Sequence, residues 1–565
     1  MKKFKEWLDR QTGTVWFACL LNIVILAVML LFLKPGYETN DDISVSMIAN
    51  GSWGTGNAHV ICQNYLMGLL YTVFYRIGHG VIPWYPILQY AFLLAAFSTV
   101  TYVIFQKLKS EQAMLMSSIL LIYFGYECYI RMQYSKTAGV MLAAGALILY
   151  YEIEKEKTRW YGILWGILLG FTGSLYRFEE TAICCILMAG IGIYFLLDAK
   201  RWGVQMKKKL ILLFSSFIFM GALMVGAELF DQYIYASDPK WDAFMKYNNC
   251  RSDLTDYSRP DYEENKALYN ELGITKTAYS ILEEGLNFGD PDVFSLETLE
   301  KLDALRPKNT LSKALVINFL KEYPIGYSGM TVFFCFLMVA FLWLFWGEKN
   351  KKVWIVVAYE ILAMGMIDFY LYYSGRYLKN RVEAALWFAI SLTAIWFYQK
   401  KKIQISKKTA FVAVMGLLIV NQRDWKDHWR VFTKQQSIDQ KYLQGLYEDV
   451  RAIDPDGLYL AKIETISYTF YDMLDSIPQG TFENVIWYGG WEMENPIWKA
   501  KLAEYNIENP YRDLINKEHV YLVDHKIDLT LQYIREYYNE NVEAEKLQDN
   551  GRWPVYRLVS KKSST

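Results

Sequence analysis

The sequence lacks the features that would point to nucleic acid or to a cysteine-based site. Lysine plus arginine and aspartate plus glutamate number 59 each, so the formal net charge is zero and no anionic polymer is indicated as a partner. Seven cysteines are present without any CxxC pair, and the neighbours Cys184 and Cys185 lie in an apolar run. This usage indicates neither a disulfide framework nor a zinc site. We expect no nucleic acid among the partners.

The chain is also short of charge relative to its apolar content. Of its 565 residues 21% are charged, 53% are hydrophobic and 17% are aromatic. Such a chain is too apolar for one soluble globule and too charged to be wholly embedded in lipid, so both kinds of part are expected. Its C-terminal part contains no phosphate-binding glycine loop, no HExxH and no Gly-x-Ser-x-Gly. That part is therefore expected to serve recognition or support.

Eleven apolar stretches are long enough to cross a bilayer as helices, for which about 20 apolar residues are needed. They lie near residues 15–33, 84–106, 112–130, 137–152, 160–175, 181–198, 209–235, 325–346, 353–373, 382–398 and 408–421. The first follows a basic N-terminus and precedes no small-x-small cleavage site, so we interpret it as an uncleaved helix. Residues 65–78 are shorter and are expected to form an interfacial helix.

The basic residues between these stretches predict the orientation of the chain. The short segments assigned to the cytoplasm hold 22 lysines and arginines, whereas the short segments opposite hold 7. Because positively charged short loops stay in the cytoplasm, the N-terminus is predicted inside. With about eleven spans the C-terminus then lies outside, on a multi-pass protein of the cell membrane.

The predicted architecture is a polytopic α-helical membrane protein with a small extracytoplasmic α/β domain. Residues 1–421 form the transmembrane domain, with outer loops at 34–83 and 237–322. Residues 422–565 form the α/β domain, since short β-rich runs alternate there with helical ones. A closing hairpin is expected around Asp549 to Gly551.

The first outer loop carries two adjacent carboxylates, Asp41 and Asp42. They offer a general base and hard oxygen ligands at the water boundary, where Mg or Mn would suit them, although chemistry without a metal is an equal alternative. A helix cap supplied by Asn40, Asp41 or Asp42 for a helix beginning near Ile43 is the other interpretation. Neighbouring residues on an extended segment point to opposite sides, so one acid is expected at the reacting centre, with a slight preference for Asp42.

Further ionisable residues gather at the predicted outer ends of the spans. Charges inside a bilayer are costly, so such residues are candidates for function. They are Glu127, Arg177, Glu179, Arg376 and Arg381. Each arginine alone is explained by snorkelling or by a local acid, but as a group they suit a lipid phosphate. His59 in the first outer loop is a further binding candidate, although a lone histidine is more often structural.

These features together resemble the GT-C class of integral-membrane glycosyltransferases, which includes protein mannosyltransferases and aminoarabinose transferases. The resemblance implies that Asp41 or Asp42 is the first-loop acid, which serves as catalytic base or metal ligand. It also implies that Glu127 is the second outer-loop acid, that Arg177 binds the lipid phosphate, and that the donor is a polyprenyl-phosphate sugar. A WWDYG-type motif is absent from the sequence, which argues against peptide N-glycosylation.

The expected function is transfer of a sugar from a polyprenyl-phosphate carrier to a cell-surface glycan, polymer or lipid at the outer face of the bilayer. A transporter or flippase of lipid-linked glycan is one alternative, and it predicts midplane charges and an internal repeat. A polymerase or ligase of lipid-linked surface polysaccharide is another, and it would use the outer arginines without needing the aspartate pair.

The charge distribution yields a test of topology. Cysteines placed in residues 237–322 and 422–565, in a background without native cysteines, should react with an impermeant maleimide in intact cells. A control cysteine in the basic segment 200–209 should react only after permeabilisation. Protection of both outer segments would reverse the predicted orientation.

Overall fold

The computed structural model describes residues 13–78, 81–257, 259–283, 289–322, 349–376, 379–398, 426, 452–462, 472–475, 477–548 and 554–561. The predicted spans at 325–346 and 408–421, and the predicted turn from Asp549 to Gly551, lie outside these residues.

The N-terminal half is a succession of helices. In chain order they are α1 (Val15–Phe32), α2 (Asn40–Asn50), α3 (Tyr65–Ile77), α4 (Trp84–Lys107), α5 (Ser110–Gly125), α6 (Tyr134–Glu154), α7 (Trp160–Tyr176), α8 (Phe178–Leu197) and α9 (Met206–Ser237). The chain continues through α10 (Pro239–Asp256), α11 (Lys266–Glu271), α12 (Lys276–Glu283), α13 (Leu296–Ala304), α14 (Lys313–Glu322), α15 (Lys351–Tyr373) and α16 (Asn380–Tyr398).

Nine of the eleven predicted spans fall on described residues, and each of the nine coincides with a helix. Within the described part of the chain, seven helices are long and apolar enough to cross a membrane. They begin at Val15, Trp84, Ser110, Tyr134, Phe178, Ala199 and Lys351. The protein is therefore a polytopic helical membrane protein.

The centre of the helical part is α6, whose residues from Tyr134 to Ile153 are all buried. A helix that is apolar on every side is expected in such a place. It packs closely on α7 because glycines remove the side chains between the two backbones. A Cβ at Gly145 would lie 2.5 Å from the carbonyl oxygen of Gly166, a distance that no real side chain occupies.

Two short strands join the first and second outer loops. Strand β1 (Gly36–Tyr37) pairs in parallel with β2 (Arg131–Met132). Helix α2 follows, and it begins at Asn40 rather than near Ile43, so Thr39 takes the N-cap position without a side-chain capping bond. The expectation that Asn40, Asp41 or Asp42 caps this helix was therefore wrong. All three lie in its first turn, where the negative charges of Asp41 and Asp42 interact favourably with the positive end of the helix dipole.

The C-terminal segment forms one mixed sheet. Its elements are β3 (Leu458–Lys462), β4 (Val485–Tyr488), α17 (Pro496–Glu504), β5 (Val520–Val523), α18 (Ile527–Tyr537), β6 (Val542–Gln548) and β7 (Val555–Ser560). The strand order is β4-β3-β5-β7-β6, with β3 parallel to both its neighbours and β7 antiparallel to both of its own. The two strands predicted on either side of residue 550 are present and paired.

The insertion that contains α10 to α13 shares a hydrophobic core with this sheet. Asp290 of the insertion is wholly buried, and it accepts hydrogen bonds from Tyr533, Tyr538 and Asn509 at 2.7, 2.6 and 2.9 Å. Because a buried carboxylate needs such donors, these bonds fasten the insertion to the C-terminal segment.

The same C-terminal segment is joined to the first outer loop by backbone hydrogen bonds. The backbone N–H of Gly480 donates to the carbonyl of Gly51 at 2.9 Å. The backbone N–H of Phe482 donates to the carbonyl of Ser52, also at 2.9 Å. Gly51 ends α2 with a positive φ of 80°, the left-handed conformation that glycine adopts easily. The C-terminal segment therefore holds the end of the helix whose first turn carries Asp41 and Asp42.

Candidate active site

The first turns of three helices meet at one place. The Arg381 Nη1 atom of α16 lies 3.8 Å from the Asp41 Oδ2 atom of α2. Glu180 in the first turn of α8 interacts electrostatically with both Arg177 and Arg381. Each helix start presents backbone N–H groups without helical acceptors and the positive end of its dipole. Their convergence makes this place suited to an anion.

Arg177 occupies the corner between α7 and α8. Its backbone is extended, with φ −162° and ψ 114°, so it ends one helix and precedes the next. The guanidinium Nη1 donates to the Tyr134 hydroxyl at 3.0 Å, and Nε lies 3.5 Å from Glu179 Oε2. The Arg177 side chain remains 30% exposed. Since a guanidinium carries five donors in a planar fork, it can bind a further anion while keeping these partners.

Asp42 points into the protein, away from any ligand approaching from water. It is wholly buried and accepts hydrogen bonds from the Tyr85 hydroxyl at 2.7 Å and from Gln89 Nε2 at 3.3 Å. Thr39 Oγ1 donates to its other oxygen at 3.3 Å. Burial raises the pKa of Asp42 to about 7, although the bond from Tyr85 opposes this rise. Asp42 therefore anchors the first turn of α2.

Asp41 is the more accessible of the two acids. Its side chain is 26% exposed and faces Arg381, so the two neighbouring carboxylates have different partners. A cation held jointly by both does not fit this arrangement, because Asp42 is already enclosed by Tyr85 and Gln89. In the described part of the chain no group of three or more His, Cys, Asp or Glu side chains is placed to hold a metal ion.

Glu127 lies in a buried ion network beside these helix starts. It is in the π-helical turn Tyr126–Ile130 that continues α5. Its Oε2 atom lies 2.7 Å from Lys136 Nζ, and its Oε1 atom lies 3.4 Å from Arg131 Nη1. Lys136 also contacts Glu38 at 2.5 Å. Lys136 thus joins the first and second outer loops, and the charge of Glu127 is compensated by Lys136 and Arg131.

His59 and Arg376 both have their partners around α10. His59 contacts residues of α9 and α10, and Arg376 contacts the last residue of α10 and the residue after it. The His59 ring stacks on Trp241 with 4.3 Å between the centroids, and burial lowers its pKa to about 4. Arg376 Nη2 lies 2.6 Å from Asp256 Oδ2, and its guanidinium lies over the Tyr257 ring. These partners place both residues beside the insertion, whereas Arg381 faces Asp41.

Glu492 joins this site although the sequence interpretation did not include it. It lies in the loop between β4 and α17, and its Oε1 atom accepts a hydrogen bond from Ser44 Oγ of α2. Burial raises the pKa of Glu492 to about 7, with a contribution from the charge of Asp41 and an opposing one from Arg251. The available signal was the pair Gly489-Gly490 directly after a strand, since loops at the carboxyl ends of parallel strands often carry sites.

Comparison with known proteins gives limited information. No family model matches the chain, and no curated protein sequence matches it. Among solved structures the chain is similar to the crystal structure of ArnT from Cupriavidus metallidurans bound to undecaprenyl phosphate. The sequences are 11% identical, the match covers 96% of this chain and 98% of that chain, and the TM-score is 0.41.

Asp42→Asn should change how stability depends on pH. The folded pKa of about 7 lies above the value near 3.9 of an unfolded chain, so the folded state binds the proton more tightly. The free energy of unfolding of the wild type should then fall as pH rises from about 4 to 7, by at most about 4 kcal/mol. Asparagine does not titrate, so relative to the wild type the variant should be more stable at pH 8 than at pH 5. Thermal unfolding in detergent at both values checks this, and an equal difference at both would contradict it.

Proposed function

We propose that this protein is a membrane glycosyltransferase that moves a sugar from a polyprenyl-phosphate carrier to a cell-surface glycan, polymer or lipid, with its site at the outer face of the cell membrane. One observation carries the proposal. Three helix starts meet around the accessible carboxylate of Asp41, and Arg177 and Arg381 lie at the same place. Glycosyl transfer from a phosphate needs both a cationic cradle and a base.

The cationic part suits the phosphate of the donor. Arg177 and Arg381 offer planar donor sets that match phosphate oxygens in a bidentate manner, and their side chains are 30% and 19% exposed. Both lie at the ends of long apolar helices. A polyprenyl chain would lie against the apolar helices in the bilayer while its phosphate reaches the helix starts.

The base is assigned to Asp41. The acceptor hydroxyl oxygen attacks the anomeric carbon of the donor sugar, and its proton passes to the Asp41 carboxylate. The bond between the anomeric carbon and the phosphate oxygen breaks, and its electron pair leaves with the carrier phosphate. Arg177 and Arg381 stabilise the charge on that leaving group. The products are a glycosylated acceptor and polyprenyl phosphate, and no step requires Mg or Mn.

One observation favours the alternative function, a flippase of lipid-linked glycan. Glu360 lies within α15 and is wholly buried, next to Thr393 of α16 and close to Gly190 of α8. A carboxylate at membrane depth is a common feature of transport pathways. Release of sugar from the donor by purified protein distinguishes the two, because a flippase leaves the donor intact.

Arg177→Lys should weaken use of the donor without unfolding the protein. Lysine keeps the charge but loses the planar fork, so the KM for a polyprenyl-phosphate sugar should rise by about tenfold or more. Arg376→Lys is the matched control, because that arginine is paired with Asp256 and should leave the donor KM unchanged. Donor release in detergent measures both. An unaltered KM in Arg177→Lys would remove this residue from the phosphate site.

Asp41→Asn should abolish most turnover. Asparagine keeps the shape but removes the base, so kcat should fall by at least about 10²-fold while the melting temperature changes little. The same measurement on Asp42→Asn should show a smaller fall, because Asp42 is buried behind Tyr85. The reverse order would exchange the roles of the two acids. Near wild-type turnover in both variants would refute the proposed function.

A further inference from the structure

A small cavity lies where the C-terminal segment meets the first outer loop. Its volume is about 20 Å³, which admits one water-sized group. Its walls include Trp53 of the first outer loop together with Trp487, Glu492, Asn495 and Trp498 of the C-terminal segment. None of the residues proposed above to act on the donor lines it.

Two of the side chains that line the cavity each have a polar atom without a partner among the described residues. Trp487 Nε1 and Glu492 Oε2 are both buried and make no hydrogen bond with any described residue. The two side chains are only 3% and 1% exposed. Buried polar atoms in folded proteins are nearly always satisfied, so two such atoms on side chains that line one cavity make it a candidate site for a bound polar group.

The chemistry of the pair selects that group. A hydroxyl donates one hydrogen bond and accepts others, so it satisfies the carboxylate and the indole at once. An ammonium group has no acceptor for the indole N–H, whereas a hydroxyl oxygen can accept from it. The surrounding tryptophans are held in place, since Trp498 Nε1 donates to the Trp487 carbonyl at 2.8 Å and Trp53 packs edge-on against Trp487.

Glu492 connects this cavity to the proposed base. Glu492 lines the cavity, and its Oε1 atom accepts a hydrogen bond from Ser44 of α2. Ser44 lies three residues after Asp41, and residues with this spacing share a helix face. Glu492 therefore links the cavity to the face of α2 that carries Asp41.

We propose that this cavity is a subsite for a hydroxyl of the sugar acceptor, with Trp487 Nε1 donating to the hydroxyl oxygen and Glu492 Oε2 accepting its proton in a hydrogen bond. The inference rests on the proposed function, because it assigns the acceptor side of the same site. The C-terminal segment then supplies acceptor recognition, and the helix starts of the membrane part supply donor binding.

Saccharide binding to the purified full-length protein in detergent tests this subsite. Saturation-transfer NMR with the methyl glycosides of glucose, galactose and mannose as probes should detect binding of at least one of them to the wild type. Trp487→Phe removes the donor and keeps an aromatic ring, so affinity should fall by about fivefold or more. Trp202→Phe is the matched control, because the Nε1 atom of Trp202 also lacks a partner among the described residues but lies before α9, away from this cavity. The control should bind as the wild type does.

Glu492→Gln provides the second variant. It keeps the size of the side chain and an oxygen for Ser44, but it places an amide N–H₂ towards the cavity, so affinity should fall by about tenfold. Absence of saccharide binding by the wild type, or equal binding by the wild type and both cavity variants, would overturn the subsite and leave the cavity to water. These measurements need no donor turnover. Failure of the subsite would therefore leave the donor-binding result for Arg177→Lys unaffected, and failure of that result would leave the saccharide-binding measurements unaffected.

Discussion

The hydrogen bond from Tyr85 to Asp42 is the interaction on which the arrangement of the site depends. It fixes a buried carboxylate of α2 against α4 at 2.7 Å, and Gln89 of the same helix adds a second donor. Because consecutive residues of a helix are turned by about 100° from each other, holding Asp42 inward directs Asp41 towards Arg381. The anchor makes one acid of the pair structural, and it leaves the other available to a substrate.

The site is assembled from parts that are far apart in the chain. Ser44 and Glu492 are joined by a side-chain hydrogen bond, and backbone bonds at Gly51 and Ser52 extend the same junction. Asp290 fastens the insertion to the C-terminal segment, which also carries Glu492. A loosening at any of these junctions would alter the first outer loop. The membrane helices and the C-terminal segment are therefore joined directly at the helix that carries Asp41.

The sequence predicted the helices well because hydrophobic length is a local property. It also indicated Arg177, Arg381 and the pair Asp41-Asp42 as candidates, with a slight preference for Asp42, since charges at the ends of apolar runs are visible in the sequence alone. The direction of each acid was not predictable, because it depends on a helix start at Asn40 and on a partner in another helix. The contacts of His59 and Arg376 with Trp241 and Asp256 join segments more than 100 residues apart, and so no spacing rule could reveal them.

The two buried acids near Asp41 have a common electrostatic consequence. Burial brings the pKa of both Asp42 and Glu492 to about 7, so near neutral pH each is protonated for much of the time. A site with several ionised carboxylates would repel a phosphate in spite of its arginines. Protonation of Asp42 and Glu492 leaves the charges of Arg177 and Arg381 less opposed, and an arriving phosphate would in turn favour the protonated forms. The same burial that positions α2 therefore lowers the negative charge near these helix starts at neutral pH.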